Sequence, residues 1–206
     1  MTVKVLAVPA RLIVLASGEG TLLQALFDAQ ADSTYPAEVI SVVSDRPDAP
    51  ALARGTRHGV PTHVVATVDY PDRVAWDRAL AEAVAAARPD LVVLAGFMKI
   101  LGSDFLQRFP GRVINTHPAL LPAFPGSHAV RDALAAGVPV TGASVIWVDE
   151  GIDTGDVIDQ AEVPVLAGDD ESRLHERIKV VERQMLVRVV AELVTRTKDS
   201  VPGGGR

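Results

Sequence analysis

Short apolar runs of strand length alternate with helix-like segments through the first half of this chain, and no other feature constrains its fold as strongly. Residues 91–95 (Leu-Val-Val-Leu-Ala) are continuously apolar, as expected for a strand that a parallel sheet buries on both faces. Parallel neighbours need a crossover connection, which is usually a helix. The alternation therefore predicts an α/β fold with a doubly wound, mostly parallel sheet and a Rossmann-like N-terminal half.

The pattern also gives approximate bounds for each element. Predicted strands of the first half cover residues 12–16, 38–43, 60–65, 91–95 and 113–116, and predicted helices cover 21–31, 51–58, 72–88 and 104–108. In the second half, strand-like segments at 143–148 and 157–163 are separated only by an acidic, glycine-containing loop. This short separation predicts an antiparallel C-terminal extension of the sheet. A helix at 128–136 that ends at Gly137 precedes the pair, and a long helix at 169–194 follows it.

The length of the chain allows a single domain, which we place at residues 11–196, with flanking tails at 1–10 and 197–206. The N-terminal residues contain too short an apolar stretch for a signal peptide. A parallel first half with an antiparallel extension places the ligand crevice at the carboxyl ends of the strands.

Charge and composition argue against several classes of function. The formal net charge is −6 and no basic stretch is interleaved with aromatic residues, so we expect no nucleic-acid partner. The longest apolar stretches are far shorter than a membrane span, so we expect no membrane partner. The sequence has no cysteine, which rules out disulfides and thiolate sites and is consistent with a cytoplasmic location.

Asn115 and His117 form the pattern with the most specific chemistry. They lie two positions apart at the end of a predicted strand, so alternation places both side chains on the same face. Pro118 biases His117 towards extended geometry and so restrains the ring. An amide donor beside a titratable imidazole can stabilise a developing oxyanion and move a proton. This combination predicts acyl-transfer chemistry.

A glycine-containing turn, Ser17-Gly18-Glu19-Gly20-Thr21, follows the first predicted strand. Glycines let the backbone approach an anion, and the next helix offers free N–H groups and a favourable dipole. The turn is neither a Walker loop nor a full G-x-G-x-x-G motif. A lone phosphate is therefore the anion that it favours, with a simple tight turn as the alternative.

The acidic loop at 149–156 could supply a carboxylate to His117, which would favour the charged imidazolium. Its spacing fails the calcium-loop pattern, and a solvated turn is the alternative. No rule of spacing selects Asp153 over its neighbours. A zinc site built from His117, His128 and an aspartate lacks the helical H-x-x-x-H spacing, so we expect no metal.

The segment at 114–128 (INTHPALLPAFPGSH) makes a family resemblance specific. It is similar to the folate-dependent formyltransferase family, and within it to the phosphoribosylglycinamide formyltransferases (glycinamide ribonucleotide transformylases). The resemblance includes residues 16–21, 94–101 and 149–155, and it covers nearly the whole chain. It implies transfer of a formyl group from 10-formyltetrahydrofolate, as co-substrate, to the glycine amine of 5-phosphoribosylglycinamide. The implied products are formylglycinamide ribonucleotide and tetrahydrofolate, in purine biosynthesis.

The resemblance also implies roles for individual residues. The catalytic residues would be Asn115, His117 and Asp153, so the resemblance selects the carboxylate that spacing could not. Expected contacts to the ribonucleotide are Gly20, Thr21, Leu22, Lys179, Val180, Val181 and Glu182. Expected contacts to the formyl-folate are Arg73, Met98, Lys99, Ile100, Leu101, Asn115, Asp149, Glu150, Gly151, Ile152 and Asp153. Residues 11–110 would form the phosphate-binding half, and residues 111–196 would form the catalytic and folate-binding half.

Two positions depart from the family pattern. Family members usually carry Ser-Asn where this chain has Thr21-Leu22, so Leu22 offers only its N–H, and Lys99 stands where arginine is common. The alternatives to a formyltransferase are a formyltetrahydrofolate deformylase, which passes the formyl group to water, and a non-catalytic nucleotide-binding module. The expected partners are small-molecule substrates, and a homodimer stays open.

Overall fold

The computed structural model describes residues 8–199, which form one mixed sheet with helices on both faces. The strands are β1 (Ala10–Leu15), β2 (Ala37–Ser44), β3 (Thr62–Val64), β4 (Leu91–Leu94), β5 (Val113–His117), β6 (Val140–Trp147) and β7 (Val157–Pro164). The helices are α1 (Thr21–Gln30), α2 (Pro50–Arg57), α3 (Arg73–Ala86), α4 (Ser103–Arg108), α5 (Ala129–Ala136) and α6 (Glu171–Asp199), with a short 3₁₀ turn at Thr67–Asp69.

The seven strands lie in the order β3-β2-β1-β4-β5-β6-β7. All pairs from β3 to β5 are parallel, whereas β6 is antiparallel to both of its neighbours. This arrangement confirms the prediction of a doubly wound, mostly parallel sheet with an antiparallel C-terminal extension. The strand order reverses between β1 and β4, so the loops that follow these strands diverge and leave a crevice between them.

Both faces of the central strands are buried. In β1, Leu12 and Val14 pack in the cluster that includes α1 and α6, whereas Ile13 and Leu15 pack in the cluster that includes α3 and α4. Burying such a side chain is worth about 1.5–3 kcal/mol relative to leaving it exposed. Because every such position gains this energy, residues 12–15 of β1 and all of β4 appear in the sequence as continuous apolar runs, whereas Arg11 of β1 is exposed.

The bounds differ from the predicted ones where the sequence has no apolar pattern. β6 begins at Val140 rather than at residue 143, because its first residues pair with β7. Helix α6 continues past residue 194 to Asp199, so residues 197–199, which we had placed in the tail, are helical. Ala10, also placed in a tail, begins β1. Residues 1–7 and 200–206 of the predicted tails lie outside the described residues. Within residues 8–199, no helix is long and apolar enough to cross a membrane.

Candidate active site

A cavity of about 660 Å³ lies at the carboxyl ends of the central strands, a volume typical of small-molecule sites. Its walls come from the loop after β1 (residues 16–20, the β1 loop), the loop after β4 (residues 95–102, the β4 loop), the end of β5, the acidic loop at 149–156 and one face of α6. Of the predicted site residues, Gly20, Thr21, Leu22, Met98, Lys99, Ile100, Leu101, Asn115, His117, Asp149, Gly151, Ile152, Asp153, Lys179 and Glu182 line it.

The Asp153 carboxylate lies between the two side chains that end β5. Its Oδ1 accepts a hydrogen bond from Asn115 Nδ2 at 3.3 Å, and its Oδ2 lies 3.3 Å from His117 Nδ1. The backbone N–H of Gly126 also donates to Oδ2, at 2.8 Å. One carboxylate therefore joins an amide donor, an imidazole and the loop that precedes α5.

The imidazole of His117 is held at both nitrogens. Nε2 lies 2.8 Å from the carbonyl oxygen of Phe124, while Nδ1 faces the Asp153 carboxylate. A carbonyl and a carboxylate only accept hydrogen bonds, so the doubly protonated ring satisfies both contacts. His117 is 4% exposed. Both ring nitrogens therefore face hydrogen-bond acceptors in a buried position.

Backbone conformation places Asp153 at this point. Its φ is +54°, a left-handed conformation that aspartate tolerates better than most residues. Within the acidic loop, Asp149 accepts hydrogen bonds from the Gly151 N–H at 3.0 Å and from the Thr154 hydroxyl at 2.8 Å. At Gly155, a Cβ atom would lie 1.7 Å from the carbonyl oxygen of Trp147. The loop is therefore folded by its own contacts and is not a solvated turn without structure.

Helix α2 supports the β1 loop from outside the cavity. Gly20, with φ +70°, ends this loop, and a Cβ atom there would lie 2.8 Å from that of Ala51. The Ala51 N–H donates to the Gly18 carbonyl at 3.0 Å, and Arg54 Nε donates to the Glu19 carbonyl at 2.7 Å. The loop is fixed, and the N-terminus of α1 faces the cavity.

The β4 loop presents apolar side chains to the cavity. Met98 and Ile100 are 68% and 54% exposed, which is unusual for such residues beside a pocket and suits an apolar ligand surface. Arg73 lies behind this loop, where its guanidinium donates to the Ile100 carbonyl and stacks over Trp76 at 4.2 Å. Arg73 does not line the cavity; nor do the other predicted contacts Glu150, Val180 and Val181.

Helix α6 contributes His175, Lys179 and Glu182 to the cavity wall. Positions 175, 179 and 182 have the i, i+4, i+7 spacing of one helical face, a signal that could have identified His175, which we did not predict as a site residue. Burial lowers the pKa of His175, and the positive charge of Lys179 lowers it further. Among residues 8–199, no group of acidic residues and histidines is arranged to hold a metal ion.

Glu182 is a buried acid at this wall. It is 4% exposed, and burial raises its pKa from the usual value to about 7, against the opposing effect of Lys179 and Arg183. The carboxyl is therefore about half protonated at neutral pH when no ligand is bound.

Replacing Glu182 by glutamine is expected to stabilise the ligand-free protein at alkaline pH. Because the raised pKa means that the native state binds the proton more tightly, stability falls as the pH rises from about 4.5 to about 7. The total loss is about 3 kcal/mol. Glutamine does not titrate and so avoids this loss. The gain in the free energy of unfolding should therefore be near zero at about pH 4 and about 3 kcal/mol at about pH 8. Urea unfolding at both pH values measures the difference, and a gain that does not vary with pH would contradict the assignment.

The chain is similar to known proteins over most of its length. Residues 10–190 match the family described as formyl transferase. The chain is 59% identical over 187 residues to the phosphoribosylglycinamide formyltransferase of Mycobacterium tuberculosis (strain CDC 1551 / Oshkosh), which covers 91% of this chain and 86% of that relative. The protein of the same name from Escherichia coli (strain K12) is 40% identical over 180 residues, covering 87% of this chain and 85% of that relative.

The chain is also similar in structure to solved proteins of this kind. Glycinamide ribonucleotide transformylase 1 from Symbiobacterium toebii has a TM-score of 0.89 and 43% sequence identity to this chain. The match covers 91% of this chain and 88% of that chain.

Proposed function

The chain belongs to the formyl transferase family, and we propose that Asn115, His117 and Asp153 perform its chemistry. The activity is the transfer of a formyl group from 10-formyltetrahydrofolate to the glycine amine of phosphoribosylglycinamide, a step of purine biosynthesis. The observation that carries the proposed roles is the Asp153 carboxylate, which lies 3.3 Å from both the Asn115 amide and the His117 ring at the cavity.

The first step is attack of the glycine amine on the formyl carbon. A C–N bond forms and the formyl oxygen becomes an oxyanion, which needs hydrogen-bond donors. Asn115 Nδ2 and the protonated ring of His117 supply them, and Asp153 balances the charge of that ring. Asn115 Nδ2 contacts Asp153 at 3.3 Å, and such a long contact before substrate binding leaves the amide able to turn to the oxyanion.

The second step is departure of the folate nitrogen, which breaks the original C–N bond. The leaving nitrogen needs a proton, and the attacking amine must lose one. His117 can donate its proton to the leaving nitrogen and take up the one released by the amine, so that the ring ends the cycle as it began. The carboxylate of Asp153 keeps the ring in place for both transfers.

The ribonucleotide phosphate is assigned to the junction of the β1 loop and α1. Backbone N–H groups of Gly20, Thr21 and Leu22 would bind the phosphate at this helix N-terminus. The Leu22 side chain is 7% exposed, because it packs in the core, so only its N–H is available. Lys179 and Glu182 on the facing wall would contact the remainder of the ribonucleotide.

The formyl-folate is assigned to the other side of the cavity. The exposed apolar side chains Met98 and Ile100 offer a surface for its ring system, and the acidic loop, which also lines the cavity, would contact it. Because Arg73 contacts the Ile100 carbonyl from outside the cavity, we assign it the role of holding the β4 loop rather than of binding folate directly.

Residues 11–196 are proposed to act as a single domain, with the phosphate-binding half at 11–110 and the catalytic and folate-binding half at 111–196. A cytoplasmic location is part of the same proposal, since the relatives are enzymes of small-molecule metabolism. A homodimer is kept as a hypothesis, and light scattering coupled to size-exclusion chromatography tests it.

Folate release that depends on the ribonucleotide is the expected result of an absorbance assay. The assay uses 10-formyltetrahydrofolate, or a 10-formyl-dideazafolate analogue, with and without glycinamide ribonucleotide. Because the cavity holds both an anion-binding loop and the catalytic residues, release should require both substrates. Equal release without the ribonucleotide would indicate a deformylase, and no release in either case would favour a binding module.

A further inference from the structure

The hydroxyl of Ser17 joins the two loops that face each other across the cavity. Ser17 Oγ donates to Asp45 Oδ1 at 2.5 Å and accepts from the backbone N–H of Met98 at 2.8 Å. Ser17 lies in the β1 loop and Met98 lies in the β4 loop. Both polar side chains are buried, with Ser17 4% and Asp45 7% exposed.

Two further contacts tie the same loops together. The Ser17 N–H donates to the Gly96 carbonyl at 3.1 Å, and Lys99 Nζ lies 3.7 Å from Asp45 Oδ2. Asp45 directly follows β2, so its carboxylate is fixed by the sheet and contacts both loops at once. Neither Ser17 nor Asp45 lines the cavity, so any effect they have on the reaction passes through other residues.

We propose that Ser17 and Asp45 are positioning residues, whose hydrogen bonds hold the β1 loop and the β4 loop at one relative position. This inference rests on the proposed function, because it takes the β1 loop as the phosphate site and the β4 loop as part of the folate site. Formyl transfer needs the amine of one substrate close to the formyl carbon of the other. A bridge between the loops that carry the two substrates therefore holds both binding surfaces in position, and its loss weakens the binding of each substrate.

Loss of the bridge has a direct physical consequence. Without the Ser17 hydroxyl, the Met98 N–H has no acceptor in a partly buried position and the Asp45 carboxylate loses its closest donor. A buried group left without its partner is costly, so the β4 loop would move until water or another group satisfied it. Both loops would then be displaced, although only one side chain had changed.

The test compares Ser17→Ala with a matched serine. Ser41 is also buried, at 2% exposed, and its hydroxyl donates to the Pro61 carbonyl at 3.2 Å, but it lies on β2 and contacts neither loop. In Ser17→Ala we expect the KM for the ribonucleotide and the KM for the formyl-folate each to rise about tenfold, the scale of one lost buried hydrogen bond. In Ser41→Ala both values should stay within about twofold of wild type.

A conservative variant separates the bridge from general stability. Asp45→Asn keeps an oxygen that can accept from Ser17 but loses the ion pair with Lys99, so both KM values should rise, but less than in Ser17→Ala. A loss of folded protein lowers the apparent kcat but leaves KM unchanged, so a rise in KM reports on the two loops, and thermal unfolding of each variant measures stability separately. A Ser17→Ala variant whose melting temperature falls while both KM values stay at wild type would overturn the inference. So would a rise in KM for one substrate alone.

The inference and the proposed function fail in different ways. If wild-type protein releases no folate in the presence of the ribonucleotide, the proposed function fails and the inference fails with it. If wild-type protein is active and Ser17→Ala has wild-type KM values, only the inference is wrong.

Discussion

Replacing Asp153 by alanine is expected to lower kcat by about 10²–10⁴. The substitution removes the carboxylate that holds the His117 ring, the Asn115 amide and the Gly126 N–H. The imidazolium would lose its counter-charge in a buried position, which disfavours the protonated ring that the oxyanion needs. Steady-state kcat at saturating concentrations of both substrates measures the loss.

Two further variants make this result specific. Asp156 lies in the same acidic loop but is exposed, so Asp156→Ala should keep near wild-type kcat. Asp153→Asn keeps an acceptor for the Gly126 N–H but lacks the charge, and most of the loss should remain if the counter-charge is what matters. Full activity in folded Asp153→Ala would remove the aspartate from the mechanism.

Asn115→Ala is expected to lower kcat by about 10²–10³, the usual effect of losing one oxyanion donor. The amide is needed most when the formyl oxygen carries negative charge, so KM for both substrates should change little. Comparison of kcat with KM therefore distinguishes loss of oxyanion stabilisation from loss of substrate binding.

The composition of the chain offers a direct test of the contact between Asn115 and Asp153. Asn115 is the only asparagine in the sequence, so protein labelled with ¹⁵N at asparagine gives one side-chain amide signal in an NMR spectrum. That signal should shift in Asp153→Ala, because Asp153 accepts from this amide. An Asn115→Ala variant with unchanged kcat and a native melting temperature would show that the oxyanion has other donors.

The fold could be predicted from sequence where burial determines residue type. Residues 12–15 of β1 and all of β4 are buried on both faces, so these positions are apolar and the strands are evident. The start of β6 could not be predicted, because residues 140–142 (Val-Thr-Gly) gain their strand conformation from pairing with β7 and not from their own pattern. The last residues of α6 are polar, and their helical conformation continues from the preceding turns.

The site residues likewise differ in whether local sequence rules or long-range contacts determine their positions. Asn115 and His117 could be placed together because strand alternation is a local rule. Asp153 could not be chosen by spacing, because its position depends on a left-handed backbone conformation and on a bond to Gly126, 27 residues away in sequence. The family resemblance supplied that choice, and its catalytic role stays a prediction. Arg73 shows the opposite case, since the resemblance gave it a ligand and the structure places it behind the β4 loop.

Because the carboxyl of Glu182 is buried, ligand binding at the cavity wall formed by α6 is expected to be accompanied by an exchange of protons with the buffer. With its pKa raised to about 7, any ligand that favours one protonation state of this group takes up or releases a fraction of a proton near neutral pH. If the ribonucleotide contacts Glu182 as proposed, the heat of its binding depends on the ionisation enthalpy of the buffer. When the observed heat of binding is plotted against the ionisation enthalpy of several buffers, the slope is the number of protons that the protein exchanges as the ligand binds.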